Sequence, residues 1–504
     1  MIRARAVGRD TLFARSVIDC FRRRYRFQFS SMNRIAHPFV VGFVGAWCFL
    51  GGAAAPAAET ALDRYVKKPD PAYSWKVVES SDHEGGKRFI VSLTSQSWRT
   101  KEEVDRPLWE HWLVVEKPAQ VRSSTAFLFI GGGRNRPDAP KGPEALVTKV
   151  ASETGTVAVE LRTVPNQPLV FNGDGKGRSE DDLIAYTWNQ YLKTGDETWP
   201  ARLPMVKSAV RAMDCVQELL RSEHGGKVAN EKFVVAGGSK RGWTTWCTAA
   251  VDPRVSAAIP IVIDVLNVSV SMRHHVSAYG FYSAAVGDYH EQGLMQRDGD
   301  PKLKQLYDIE DPYSYRDRLT MPKFVVNASG DEFFCPDSSQ FYWDGLKGEK
   351  LLRYVPNASH SLKDTDAGES IVAFHQLIVS GKPRPSYSWT FEKDGSIRVA
   401  AKEKPRAARL WKATNPKTRD FRFHAVGPIY AETALEPGPD GAYVGRVEAP
   451  AKGWTAFFVE LDFDVGSKAP LKLSSAVRIL PDMLPHAGID PTKAPLEKLP
   501  EKKK

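Results

Sequence analysis

Between residues 125 and 379 the chain repeats one pattern: a short apolar run, a turn, then a segment with helical spacing. The runs are 125–130 (TAFLFI), 156–161 (TVAVEL), 233–236 (FVVA), 257–263 (AAIPIVI), 323–327 (KFVVN) and 351–355 (LLRYV). They are too short for buried helices and lack the polar alternation of a half-exposed strand. Residues 204–220, 241–251 and 367–379 carry apolar positions three and four apart, as Met205, Ala209, Met213 and Val216 do. A strand without a polar face must be covered on both sides. The pattern therefore predicts an α/β fold, a mostly parallel sheet with helices on both faces.

Two insertions, 165–203 and 266–319, break the repeat. The first is polar and rich in Gly, Asp and Trp, the second in His and Tyr. Long connections of this kind act as lids or binding loops. After residue 383 only strand-like runs remain, separated by turns such as 393–395 (KDG) and 437–441 (PGPDG). That texture predicts a C-terminal β-sandwich over 384–490. The Lys- and Pro-rich tail, 491–504, is expected to be disordered. The α/β domain, with its two insertions, is expected over 59–383.

A formal net charge of +10 invites a nucleic-acid reading, but the position of the charge removes it. Residues 1–58 carry +7 and residues 491–504 carry +3, which leaves the body, 59–490, neutral. A basic start, an apolar run at 39–50 and a small-residue stretch at 51–58 read as a secretory signal peptide cleaved near Ala57 or Ala58. The alternative is an uncleaved anchor, for which the apolar run is short. Met32 is the favoured translation start, with 1–31 as an upstream extension. The mature protein is expected to be periplasmic or secreted, with no nucleic-acid partner and no stable membrane insertion. Of five cysteines, Cys215, Cys247 and Cys335 lie beyond the leader. Three cysteines make no disulfide scaffold, and without a C-x-x-C pair no structural zinc is implied.

The chemistry is expected at strand ends. Residues 232–242 (KFVVAGGSKRG) read as a strand, a sharp turn and a helix start, with Ser239 exposed at the elbow as in α/β-hydrolases. Gly237 stands two residues before the serine. The usual second glycine, two after it, is replaced by Arg241, and Gly242 comes one later. Such a hydrolase needs an acid and then a histidine after later strands. Asp331 follows the run at 323–327, and His360 follows the run at 351–355. Ser239 is read as nucleophile, His360 as base and then acid, and Asp331 as the group that fixes the imidazole tautomer. Asp264, at the end of an earlier strand, is the rival acid, while Asp337 is expected in the next helix start. The oxyanion donors are expected to be the N–H of Lys240 and those of Gly132 and Gly133, in the glycine run that follows 125–130. The side chains of Lys240 and Arg241 either add positive charge near the substrate or pair with local carboxylates. Glu180, Asp181 and Asp182 open a helix and suit its macrodipole. His274, His275 and His290 are read as solvated or substrate-facing rather than metal ligands. Trp188, Trp199, Trp243 and Trp246 are either core or cleft. No cofactor and no metal is implied.

Four phrases, 179–188 (SEDDLIAYTW), 237–246 (GGSKRGWTTW), 249–255 (AAVDPRV) and 329–338 (SGDEFFCPDS), resemble the PhoPQ-activated pathogenicity-related protein family. The likeness spans about 60–480. The elbow, with its basic residue after the serine, also resembles that of glucuronoyl esterases. The family resemblance implies an α/β-hydrolase-like, exported bacterial protein, but no defined substrate. The residues and the resemblance together predict an exported serine hydrolase, foremost a carboxylic ester hydrolase acting on a small-molecule, glycan or peptide ester. The alternatives are a peptidase or amidase, and a non-catalytic envelope-binding protein.

Overall fold

The computed structural model describes residues 59–499, and the expected leader lies outside them. Nine strands form one sheet. They are β1 (Ser74–His83), β2 (Gly86–Ser97), β3 (Leu108–Pro118), β4 (Thr125–Ile130) and β5 (Ala158–Leu161), then, past a small ribbon of β6 (Leu169–Val170) and β7 (Gly177–Arg178), β8 (Lys232–Gly238), β9 (Val255–Ile261), β10 (Lys323–Ala328) and β11 (Lys350–Val355). Their order is β1-β2-β3-β5-β4-β8-β9-β10-β11. From β1 to β5 neighbouring strands pair antiparallel, and from β5 to β11 they pair parallel.

The helices are α1 (Ala61–Lys67), α2 (Ala145–Thr154), α3 (Glu180–Thr194), α4 (Arg202–Arg221), α5 (Lys240–Val251), α6 (Val268–Tyr279), α7 (Gly287–Glu291), α8 (Pro301–Glu310), α9 (Ala367–Val379) and α10 (Phe423–Val426). Successive side chains of a strand point to opposite faces. Phe233 and Val235 of β8 accordingly enter the cluster that holds Val206, Met213 and Val216 of α4. Val234 and Ala236 enter the other, with Val147 of α2 and Phe374 of α9. This is the α/β-hydrolase fold with one more antiparallel strand at its edge.

The sheet winds one way from β4 to β5 and the other way from β8 to β9. The reversal falls between β4 and β8, which pair with Ile130 opposite Gly237. A crevice outside the carboxyl ends of the strands at such a reversal is where open α/β sheets bind ligands. The glycine run after β4 and Ser239 after β8 both stand at this reversal.

Beyond α9 the chain forms β12 (Tyr387–Phe391), β13 (Ile397–Ala401), β14 (Ala407–Asn415), β15 (Ala431–Ala434), β16 (Tyr443–Gly445), β17 (Trp454–Phe463), β18 (Leu471–Ser474) and β19 (Arg478–Leu480). They build two antiparallel sheets, β12-β13-β16 and β15-β14-β17-β18, with β19 on β17. The sheets meet tightly at Gly445, where a Cβ would lie 2.7 Å from Val459 and 3.0 Å from Leu410. Ile397, Leu410 and Val459 share one apolar cluster with Phe324 of β10 and Phe374 of α9. The C-terminal sheets thus complete the hydrolase core as well as their own.

The tail departs from the expectation of disorder as far as Leu499. Pro491–Lys493 makes a helical turn. Ala494 and Leu496 pack against Val276, Tyr282 and Val286 of the second insertion. Glu497 takes two bonds from Arg422, at 2.6 and 2.8 Å. A composition argument averages over these few apolar anchors and so misses them. Among the described residues, no helix is long and apolar enough to cross a membrane.

Candidate active site

Ser239 joins β8 to α5 at φ 58°, ψ −129°, a region that L-residues rarely occupy. The turn is tight because its neighbours leave no room for side chains. A Cβ on Gly237 would lie 2.7 Å from the carbonyl of Arg241, and one on Gly242 would lie 2.9 Å from the carbonyls of both Gly237 and Ile261. The second glycine is therefore needed at 242, where α5 packs on β9, while the Arg241 side chain turns toward the glycine run and Glu180. Ser239 N donates to Ile261 O at 2.8 Å, which pins the elbow to β9.

The structure brings Ser239, Asp331 and His360 together. His360 Nε2 lies 2.8 Å from Ser239 Oγ, and Nδ1 lies 2.8 Å from Asp331 Oδ2. An ionised carboxylate only accepts, so Nδ1 carries a proton and Nε2 is left to accept from the hydroxyl. The other oxygen of Asp331 accepts from Phe333 N at 2.8 Å. His360 N donates to Glu332 at 2.8 Å, and the ring packs on Phe333 with centroids 4.3 Å apart. Burial acts to lower the His360 pKa, but the Asp331 carboxylate outweighs it, and the net shift is upward.

Asp264 does not join this chain. It is buried, and the hydroxyls of Tyr342 and Tyr354 donate to its two oxygens at 2.6 Å each. Burial pushes its pKa up to about 8 against the effect of those bonds.

Gly132 and Ser239 each stand two residues past the paired Ile130 and Gly237, so the glycine run lies beside the elbow. The carbonyl of Gly132 accepts from Thr163 N and that of Gly133 from Gln167 Nε2. These bonds engage the carbonyls and leave the N–H groups aside. A Cβ on Gly132 would lie 2.7 Å from the Arg241 guanidinium, so a side chain there requires that group to shift. Lys240 is the first residue of α5, where a backbone N–H has no partner within the helix.

The basic pair after the serine is neutralised. Lys240 Nζ, buried, lies 2.9 Å from Glu180 and 3.0 Å from Asp181, and Arg241 lies 2.6 Å from Glu180. Burial raises the Glu180 pKa, but the two cations outweigh it and hold it at about 2. Pairing with carboxylates is one of the two readings that the sequence offers for Lys240 and Arg241, but Glu180 and Asp181 read there only as a helix start and not as the partners. The shared phrase 179–188 was the only signal that they belong with the elbow.

An apolar cavity opens at Ser239 and Lys240. Its walls include Trp188 of α3, Trp243 of α5, Val265, Met272 of α6, Tyr289 of α7 and Phe333. Trp188 and Trp243 are thus cleft residues, whereas Trp199 and Trp246 are core. A second, wider cleft of about 740 Å³ lies over Gly131, Gly132 and Gly133, with Trp112, Arg134 and Arg136.

Of the three histidines expected to be solvated or substrate-facing, His290 is half-buried and bonds Gln296 at 3.0 Å, while the other two lie inside. His274 and His275 are both buried. His274 bonds Asp337 at 2.9 Å, and His275 accepts from Ser283 N at 3.0 Å. The lid insertion packs as part of the core, which a reading of loop composition does not reveal. Asp337 is held well below the usual carboxylate range, because Arg419 and His274 outweigh its burial. His274, Cys335 and Asp337 bring donor atoms within 4.8 Å of one another. Arg419 already lies 2.7 Å from Asp337, so a metal ion there would have to displace a buried cation. The cysteines Cys215, Cys247 and Cys335 are buried and free.

Residues 62–422 match the PhoPQ-activated pathogenicity-related protein family. The chain belongs to that family. It is also similar to autocrine proliferation repressor protein A of Dictyostelium discoideum, 40% identical over 461 residues, covering 85% of this chain and 92% of that protein. Among solved structures it is similar to acetyl xylan esterase 1 from Thermoanaerobacterium sp., at 14% identity and a TM-score of 0.41, covering 63% of this chain and 92% of the other. It is likewise similar to the glucuronoyl esterase from Solibacter usitatus, at 16% identity and a TM-score of 0.36, covering 63% and 91%. These structural likenesses are too distant to bear on chemistry. The stretch matched by the PhoPQ-activated pathogenicity-related family includes Ser239, Asp331 and His360 and ends at Arg422, the residue that grips the tail.

Proposed function

We propose that the protein is an exported serine hydrolase that cleaves carboxylic esters through an acyl-enzyme. One observation carries this reading: the continuous hydrogen-bond chain from Ser239 through His360 to buried Asp331, with the serine held at a strained elbow. The basic and apolar leader supports export.

The chemistry follows from that chain. Ser239 Oγ bonds to the ester carbonyl carbon as its proton passes to His360 Nε2. The carbonyl oxygen gains charge facing the N–H of Lys240 and the glycine run, where each preorganised donor contributes about 3 kcal/mol. The carbon–oxygen bond to the alcohol breaks, and the proton on Nε2 goes to the departing oxygen. Water then repeats the sequence on the acyl-enzyme, and His360 serves again as base. Asp331 keeps the Nδ1 proton in place throughout and stabilises the imidazolium.

The test is covalent labelling of the mature protein with a fluorophosphonate probe, beside Ser239→Ala and His360→Ala. Wild type should label, and both variants should lose labelling. Absence of labelling in folded wild type sinks the proposal. Preferential turnover of aminoacyl amides over matched esters would replace the esterase with a peptidase or amidase.

A further inference from the structure

We infer that Glu180 is the positioning residue of the oxyanion hole, holding the glycine run 131–133 against the elbow by fixing Arg241 on one side and Gln167 on the other. The inference rests on the hydrolase reading above and adds to it the residue that sets the geometry of the oxyanion donors.

The direction of an N–H is set by the carbonyl before it, because the peptide unit is planar and trans. The run is therefore aimed through its carbonyls, and all three are taken. Gly131 O accepts from Val164 N at 3.2 Å and Gly132 O from Thr163 N at 2.8 Å, both in the loop after β5. Gly133 O accepts from a side chain, Gln167 Nε2, at 2.7 Å. Gln167 is buried, and Glu180 grips its amide at both ends. The same Nε2 donates to Glu180 Oε1 at 2.6 Å, and Gln167 Oε1 accepts from Glu180 N at 2.8 Å.

Arg241 is the second hold. Its guanidinium lies against Gly132, 2.7 Å from where a Cβ would stand. Nε donates to Val164 O at 2.6 Å, and Nη2 donates to Glu180 Oε1 at 2.6 Å. Arg241 is in the first turn of α5, two residues past the nucleophile, so this fork ties the elbow to the run. A lysine at 241 would keep the charge but has no fork with which to make both bonds. Glu180 Oε2 lies 2.9 Å from Lys240 Nζ, so one carboxylate reaches both residues that follow Ser239.

Backbone strain marks the same place. Glu180 has φ 53° and Thr163 has φ 62°, left-handed conformations that residues other than glycine keep only where their surroundings enforce them. At Glu180 the enforcing contact includes the bond from its own N–H to Gln167.

The test compares Glu180→Gln, Gln167→Leu and Arg241→Lys with wild type on 4-nitrophenyl butyrate. Inhibition by a trifluoromethyl ketone and fluorophosphonate labelling run in parallel. The ketone carbon bonds to Ser239 Oγ, and its oxygen becomes the anion that the run receives. In the Glu180→Gln protein Lys240 retains Asp181 at 3.0 Å. Loss of one oxyanion donor costs about 10²–10³ in kcat, so a displaced run should cost about tenfold or more in each variant, with KM changed by less than about threefold. The inhibition constant of the ketone should rise in proportion to the loss of kcat/KM. Glu180→Gln and Gln167→Leu together should cost less than the product of their separate effects, since both act on Gly133. Thermal unfolding confirms that each variant is folded. If wild type labels, the hydrolase reading stands, and three results overturn the inference. They are a folded Gln167→Leu or Arg241→Lys protein with wild-type kcat, a loss confined to KM, and lowered stability with kcat unchanged. If folded wild type does not label, both fall.

Discussion

His360 is governed by two opposed influences, and their balance sets how the site responds to pH. Burial favours the neutral ring, Asp331 at 2.8 Å favours the cation, and the cation gains. A general base must be neutral, and a raised pKa keeps the ring protonated to higher pH. Ester hydrolysis should therefore rise with pH through a midpoint above the ordinary imidazole value of about 6.5. Asp331→Asn should lower that midpoint and reduce kcat by about four orders of magnitude, because the tautomer is lost. Asp264→Asn should leave the midpoint nearly unchanged, since burial already keeps that carboxyl largely protonated below its pKa of about 8. A pH–rate profile of the three proteins checks this, and a larger loss from Asp264→Asn would reassign the acid. Ser239, Asp331 and His360 were legible in the sequence because strand ends are legible and because each residue type has one role there. The partners of Lys240 and Arg241 were not. Glu180 lies about 60 residues away in an insertion, and no period in a sequence reports which loop folds over which elbow.

At the scale of elements, the tail segment 489–499 acts as a strap across the lid insertion. A chain of bonds runs inward from it. Glu497 is held by Arg422, Arg422 donates to Ser283 Oγ at 2.9 Å, and Ser283 donates to the carbonyl of Glu332 at 2.7 Å. The Glu332 carboxylate accepts from His360 N. Met272, Val286, Tyr289 and Met295, which line the cavity, belong to the segment that the strap covers. Glu497→Gln removes the anion facing a fully buried arginine, although Asp420 keeps two bonds to it. We expect a loss of about 1–3 kcal/mol in stability, faster hydrogen exchange over residues 280–297, and a severalfold lower kcat/KM. Unchanged exchange over that segment would show that the strap does not hold the lid. Helices and buried strands were visible in the sequence through their periods. The strap was not, because its hold rests on Ala494, Leu496, one carboxylate and two backbone bonds to Tyr282 within a run that averages as polar.

Across the whole molecule, the division read at residue 383 follows a change of texture, and texture reports secondary structure rather than how a core is shared. The edge strand of the main sheet, β11, makes the difference visible. Leu352 N donates to Tyr387 OH at 3.1 Å and Tyr354 N to Ser474 Oγ at 2.8 Å, so its open edge is closed by residues of the C-terminal sheets. Behind it, Arg353 is fully buried and lies 4.0 Å from Glu460 of β17. An uncovered edge strand is a template for aggregation, and β11 is the strand that delivers His360. A chain ending at Pro383 would expose that edge, leave Arg353 without Glu460, and open the apolar cluster that holds Phe324 and Phe374. We therefore expect the protein spanning 59–499 to unfold in one calorimetric transition, with calorimetric and van't Hoff enthalpies equal. The shortened chain should aggregate and fail to label with a fluorophosphonate. Two separable transitions in the longer protein, or a soluble and reactive chain ending at Pro383, would mean that the hydrolase layer folds without the sheets that close its edge.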